Sequence, residues 1–158
     1  MSRRRWVVNA SPLIFLAQID ALHLLKDLAD EISVPFSVRD EVLVPKGQKS
    51  PIELPDWLRL REDLPLPSEI AGWDLGAGES QVLAHALIAG SEAVLDDFEA
   101  RQCARALGVP VTGTLGVLLR AKESKLIPAA RPLLQELLRR GLYLSKELVD
   151  QALREVGE

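Results

Sequence analysis

Three carboxylates in this chain stand where a helix and a strand could deliver them to one place: Glu79 in GAGESQVLAHALIAG, and Asp96 with Asp97 in AVLDDFEAR. Val82, Leu83, Ala86 and Leu87 recur at helical spacing up to Gly90, a C-terminal cap, so Glu79 falls in the first turn of that helix. Ala93-Val94-Leu95 predicts a short buried strand, and Asp96-Asp97 follow where the chain leaves it for a helix over Phe98 to Leu107. In an open α/β sheet, that exit is where ligands bind. Carboxylates that converge without basic partners repel one another unless a cation joins them. A hard divalent ion such as magnesium asks for only one or two carboxylates beside water and substrate phosphate.

Each acid also has a structural reading. A Glu in the first helical turn is favoured by the macrodipole, and an Asp before a helix is a good N-cap. Asp96 and Glu99 have capping-box spacing, so the pattern leaves open whether one of the adjacent Asp residues serves only as a cap. Glu41 lies near the end of a helix predicted over Phe36 to Leu43, where a carboxylate opposes the macrodipole. It is either a solvated residue on an exposed face or a member of the acidic set.

The elements that must position these residues follow from the rest of the chain. Trp6-Val7-Val8 predicts a strand ending at Asn9-Ala10-Ser11-Pro12, with Ser11 as N-cap and Pro12 opening a helix through Leu13-Ile14-Phe15-Leu16-Ala17. Leu22 to Leu28 gives another helix, and Glu31 to Val34 a strand stopped by Pro35. This β, α, α, β order predicts a parallel sheet with right-handed crossovers. Pro51, Pro55, Pro65 and Pro67 mark an insertion over about 45–67, in which Trp57 to Leu60 predicts a short edge strand or helix. Val109-Pro110-Val111 predicts a strand running into Thr112-Gly113-Thr114. There Thr114 can cap the next helix, and TGTLG lacks the lysine and spacing of a phosphate-binding P-loop. Amphipathic helices are expected over Pro128 to Arg140 and Ser145 to Val156.

At 158 residues, 47% hydrophobic and 27% charged, the composition is that of one globular domain with a substantial core. The formal net charge of −4 argues against a protein that coats nucleic acid non-specifically. No apolar run approaches the roughly 20 residues of a membrane span, and the Arg3-Arg4-Arg5 start is not followed by a signal-peptide core, so a cytoplasmic protein is expected. The single Cys103 sits on the apolar side of its helix with Ala100, Ala104 and Leu107, a position for packing. His23 and His85 have no partners at zinc-ligand spacing. No Gly-x-Ser-x-Gly elbow supports acyl transfer.

With these segments placed, the chain resembles the PIN-domain family of metal-dependent ribonucleases, in particular the small prokaryotic VapC-like proteins of toxin–antitoxin systems. The likeness is carried by VVNASPLIFLAQI, SVRDEV, GAGESQVLAHAL, VLDDFEARQCARALG and VTGTLGVLL, in that order. It implies a three-layer α/β fold, with a central parallel sheet of four to five short strands flanked by helices over residues 1–158.

The resemblance implies that acids from several segments bind Mg2+ or Mn2+ and hydrolyse RNA. The family pattern falls on Asn9 after the first strand, Glu41, Glu79, and Asp97 or Asp96, with Ser11, Thr112 and Thr114 at auxiliary polar positions. Asn9 is the departure, because the typical nuclease has Asp there; an amide oxygen can ligate a cation but brings no charge. Arg101 and Arg105, one helical turn apart, are candidates for contact with RNA phosphate or an acidic partner. A toxin role implies a small antitoxin protein and a homodimer. The rival reading is a catalytically weakened PIN domain that binds RNA or protein without cutting.

Overall fold

A computed structural model describes residues 3–44 and 51–158. Residues 45–50, the start of the insertion expected from the prolines, lie outside the described residues. The chain runs β1 (Arg5–Val8), α1 (Ala10–Gln18), α2 (His23–Leu28), β2 (Glu31–Pro35), α3 (Phe36–Leu43), β3 (Arg59–Arg61), α4 (Ser68–Ala71), α5 (Ala77–Ala89) and β4 (Glu92–Val94). It continues through α6 (Phe98–Leu107), β5 (Val111–Thr112), α7 (Thr114–Glu123), α8 (Arg131–Arg139) and α9 (Lys146–Glu155).

All five strands are parallel, in the order β3-β2-β1-β4-β5. Val7 stands beside Ser33 on one side and Ala93 on the other, so β1 is the centre of the sheet. Parallel neighbours need long crossovers, which the helices supply. The order also reverses. From β1 the chain winds outward through β2 to β3, then returns to place β4 and β5 on the other side of β1. The switch point lies between the C-terminal ends of β1 and β4, and right-handed crossovers put α1 and α2 on the face opposite α5 and α6. The helix contacts agree, since α5 packs against α6 and α2 against α7.

Trp6, Leu13, Leu16, Leu83, Leu95 and Leu118 are fully buried around the sheet. Cys103 is buried among them, as its position on the helix predicts, and burial pushes its thiol up from its ordinary pKa. The helix α5 is enclosed on most sides, with Ser80 and Gln81 buried beside Val82 and Leu83. Gln81 holds the extended segment before α4 through both ends of its amide, accepting from Leu64 N and donating to Leu64 O, each at 2.8 Å. Of the short edge strand or helix expected over Trp57 to Leu60, only Arg59 and Leu60 fall in the edge strand β3, and Trp57 and Leu58 lie in the turn that leads into it. Arg59 and Arg61 of β3 reach Glu31 on β2, charges that suit a sheet edge.

Two helix starts differ from expectation: the N-cap of α1 is Asn9 and not Ser11, and that of α7 is Gly113 with Thr114 as the first helical residue. Of the paired Asp residues, between which the sequence left the choice open, Asp97 is the N-cap of α6. Ser11 and Thr114 instead donate to Asp96 across the switch point.

Candidate active site at the sheet switch point

Asn9 leaves the end of β1 with its backbone N–H on Val94 O at 3.0 Å, extending the ladder between the two central strands. An Asn at an N-cap ordinarily turns its side-chain oxygen onto the N–H groups of its own helix. Here it makes no such bond. Instead Nδ2 donates to Glu79 Oε1 at 3.3 Å, and Oδ1, inside a residue only 2% exposed, has no hydrogen-bond partner among the described residues. The amide orientation follows from Glu79, since turning it over would set Oδ1 against a carboxylate oxygen.

Glu41 comes to the same place from α3. Gly78, in the first turn of α5, is where they meet: a Cβ there would collide with Glu41 Oε1 and stand 3.3 Å from Asn9 Oδ1. The absence of a side chain at Gly78 is thus what lets the Glu41 carboxylate approach the helix start. A cleft of about 610 Å³ opens over this point, lined by Asn9, Ser11, Ile14, Ser37, Asp40, Glu41 and Glu79 among others. Ser37, Asp40, Glu41 and Val44 follow the i, i+3, i+4, i+7 pattern of one helical face. That spacing is the signal by which Ser37 and Asp40, not singled out from the sequence, could have been found.

The paired Asp residues divide their work. Asp97 caps α6, its Oδ2 accepting from Ala100 N at 2.9 Å. With Glu79 it also lines a second depression, about 480 Å³, which adds Trp73, Asp74 and Glu99 to the site region. Asp96 commits both oxygens: Oδ1 accepts from Thr114 N at 2.7 Å, and Oδ2 from Thr114 Oγ1 at 2.6 Å and Ser11 Oγ at 3.0 Å. One carboxylate thereby ties the starts of α1 and α7 to the end of β4, and the negative charge sits at the positive end of α7.

Thr112 is directed elsewhere. Its hydroxyl lies beneath α7 at Gly116, where a Cβ would strike it. Arg101 folds back from α6, Nη1 donating to Leu95 O at 3.2 Å and packing over Gly113. Arg105 stands exposed in the last turn of α6. Asn9, Ser11, Glu41 and Glu79 therefore share one cleft, Asp96 adjoins it through Ser11, Asp97 adjoins it through Glu79, and Thr112 and Arg105 stand apart.

The donors at the switch point are all oxygens, which suits a hard cation. Two carboxylates with a buried, uncommitted amide oxygen fit magnesium or manganese in kind, because such ions take few protein ligands and keep water or phosphate in the rest. Among the described residues, no group of three or more His, Cys, Asp or Glu side chains is disposed to hold a metal ion.

An acid-lined cleft at the switch point of a doubly wound parallel sheet defines an α/β protein built to bind a ligand at its C-terminal strand ends. A family model described as a PIN domain matches residues 5–158, and the chain belongs to that family. PIN domains are generally nucleases and typically use divalent metal ions. No curated protein matches the chain. No helix among the described residues is long and apolar enough to cross a membrane.

Proposed function

We propose that this PIN domain, a single unit over residues 1–158 with an insertion at about 45–67, is a Mg2+- or Mn2+-dependent endoribonuclease of the VapC-like kind. The observation that carries the reading is the approach of Glu41 and Asn9 over Gly78, with Glu79 tied to Asn9 by a hydrogen bond, in a family whose members are generally nucleases. Glu41, Glu79 and Asn9 Oδ1 would hold the ion, with Asp97, which lines the neighbouring depression with Glu79, orienting it through water. When bound, the ion supplies an activated water and neutralises charge on the phosphodiester.

The chain's own residues do the rest. Asn9 Nδ2 fixes the rotamer of Glu79, and Asp96 holds the strand end and two helix starts rigid around the cleft. Arg101, pinned beside Leu95, offers a cation at the rim for RNA phosphate, with Arg105 one turn further along α6. Ser11 and Thr114 act through Asp96. A small antitoxin protein over the cleft, a homodimer and a cytoplasmic location complete the reading.

Asn9 favours a second reading, a weakened PIN domain that binds RNA or protein without cutting, because its amide removes one charge from the ligand set. One experiment separates the two: incubate mixed RNA with the protein and Mn2+ or Mg2+, with and without chelator, beside Glu79→Gln. Metal-dependent cleavage abolished by Glu79→Gln supports the nuclease. RNA binding without cleavage under every condition supports the binding module.

A further inference from the structure

Asn9 presents a buried polar atom that has no hydrogen-bond partner among the described residues, in a residue whose other end is engaged. Its Nδ2 donates to Glu79 Oε1, and its Oδ1 faces the Glu41 side of the cleft beside Gly78. A buried oxygen without a hydrogen bond is unfavourable, so a residue that could instead cap its own helix is held in a costly arrangement. The arrangement has an electrostatic result. The amide clamps Glu79 by a hydrogen bond where an Asp would repel it, so the cleft is organised before any cation arrives. The same amide contributes no charge to the ligand set.

We infer, resting on the nuclease reading, that Asn9 makes the divalent ion and the phosphodiester enter this cleft as a coupled pair, each binding weakly alone and strongly in the other's presence. The phosphodiester carries one negative charge and two unesterified oxygens. It can supply the charge and the ligand that Asn9 withholds, and withholding a fixed charge also lowers the repulsion the phosphate meets on entry. Coupling of this kind is reciprocal: the factor by which RNA tightens the ion is the factor by which the ion tightens RNA. With Asp at position 9, the ion would be held by protein alone, and RNA would add less.

The test is a calorimetric titration of Mn2+ into the whole chain, alone and with a saturating mixed-sequence oligoribonucleotide that is 2′-O-methylated throughout, keeps its phosphodiester oxygens and is checked on a gel to be intact after the titration. The expected result for the parent is at least a tenfold tightening of Mn2+ by the oligonucleotide, with the same factor recovered when oligonucleotide is titrated with and without Mn2+. In Asn9→Asp, Mn2+ alone should bind more tightly and the gain from the oligonucleotide should fall below about threefold. The parent measurement stands even if that variant does not fold. Mn2+ that binds the parent equally well with and without the oligonucleotide overturns the coupling and leaves the nuclease reading in place; so does an unchanged gain in a folded Asn9→Asp. Absence of Mn2+ binding in every arm overturns the nuclease reading and the coupling together.

Discussion

The amide nitrogen of Asn9 donates to Glu79 Oε1 across 3.3 Å, joining the end of the central strand to the first turn of the helix that lies over it. Asn9→Asp replaces that donor with a carboxylate beside another carboxylate, in a residue almost wholly buried. In chelator the variant should therefore lose stability, on the order of 2 kcal/mol, from the lost hydrogen bond and the new repulsion. Saturating Mn2+ should restore it, because a ligand that binds only the folded state stabilises it by mass action. Thermal melts of parent and variant, with chelator and with Mn2+, check this. Equal melting of the two in chelator would mean that the amide contributes no organisation to the cleft.

Asp96 and Asp97 are adjacent in sequence and should respond differently to Ala. Asp97→Ala removes a single cap bond to Ala100 N, at a cost of about 1 kcal/mol. Asp96→Ala strips the acceptor from Ser11 Oγ, Thr114 Oγ1 and Thr114 N at once, and Thr114 is fully buried, so about 3 kcal/mol is expected. Denaturant unfolding of the two variants gives the comparison. A larger loss from Asp97→Ala would reverse the roles assigned to the pair.

The sheet, the helix over Glu79 and the exit at Asp96-Asp97 were legible because short apolar runs and glycine caps mark buried parallel strands and the helices between them. The site was legible only as a set of acids. Local rules predict a cap from the nearest residue that can make one, and so point to Ser11 and Thr114, with Asp96 left open as a third. These three hydrogen-bond to one another across 85 or 18 residues of sequence instead. A long-range charged acceptor outcompetes a local backbone N–H, and no local pattern carries that information. The orphaned oxygen of Asn9 was illegible for the same reason, since its partner on the other side is 70 residues away.

Glu158 accepts from Ala130 N at 2.7 Å and Arg131 N at 3.1 Å, capping α8 from a distance. These N–H bonds, that of Ala130 foremost, hold its carboxyl below the ordinary value, with Lys122 and Arg131 adding to the effect. A depressed carboxyl contributes stability that is present above the unfolded pKa, about 4.3, and lost as pH falls through the folded one. Glu158→Gln should therefore be less stable than the parent at pH 7, with the difference closing below about pH 4. Melting temperatures of both proteins from pH 7 to pH 3 measure it; a gap independent of pH would show that the charge of Glu158 plays no part.

Gly78→Ala separates the cleft from the fold. Gly78 lies in the first turn of α5, where Ala is the better helix former by up to about 1 kcal/mol, so helix propensity alone predicts a protein as stable as the parent or more so. The added methyl, however, occupies the place of Glu41 Oε1 and approaches Asn9 Oδ1. Glu41 is an exposed side chain near the end of α3 that the methyl pushes aside, and in moving it leaves the point where it meets Asn9. The protein should remain folded while Mn2+ affinity, measured with the 2′-O-methylated oligonucleotide present, falls at least tenfold. Unchanged ion binding in a folded Gly78→Ala protein would show that Glu41 does its work away from Gly78, and would remove it from the ligand set proposed here.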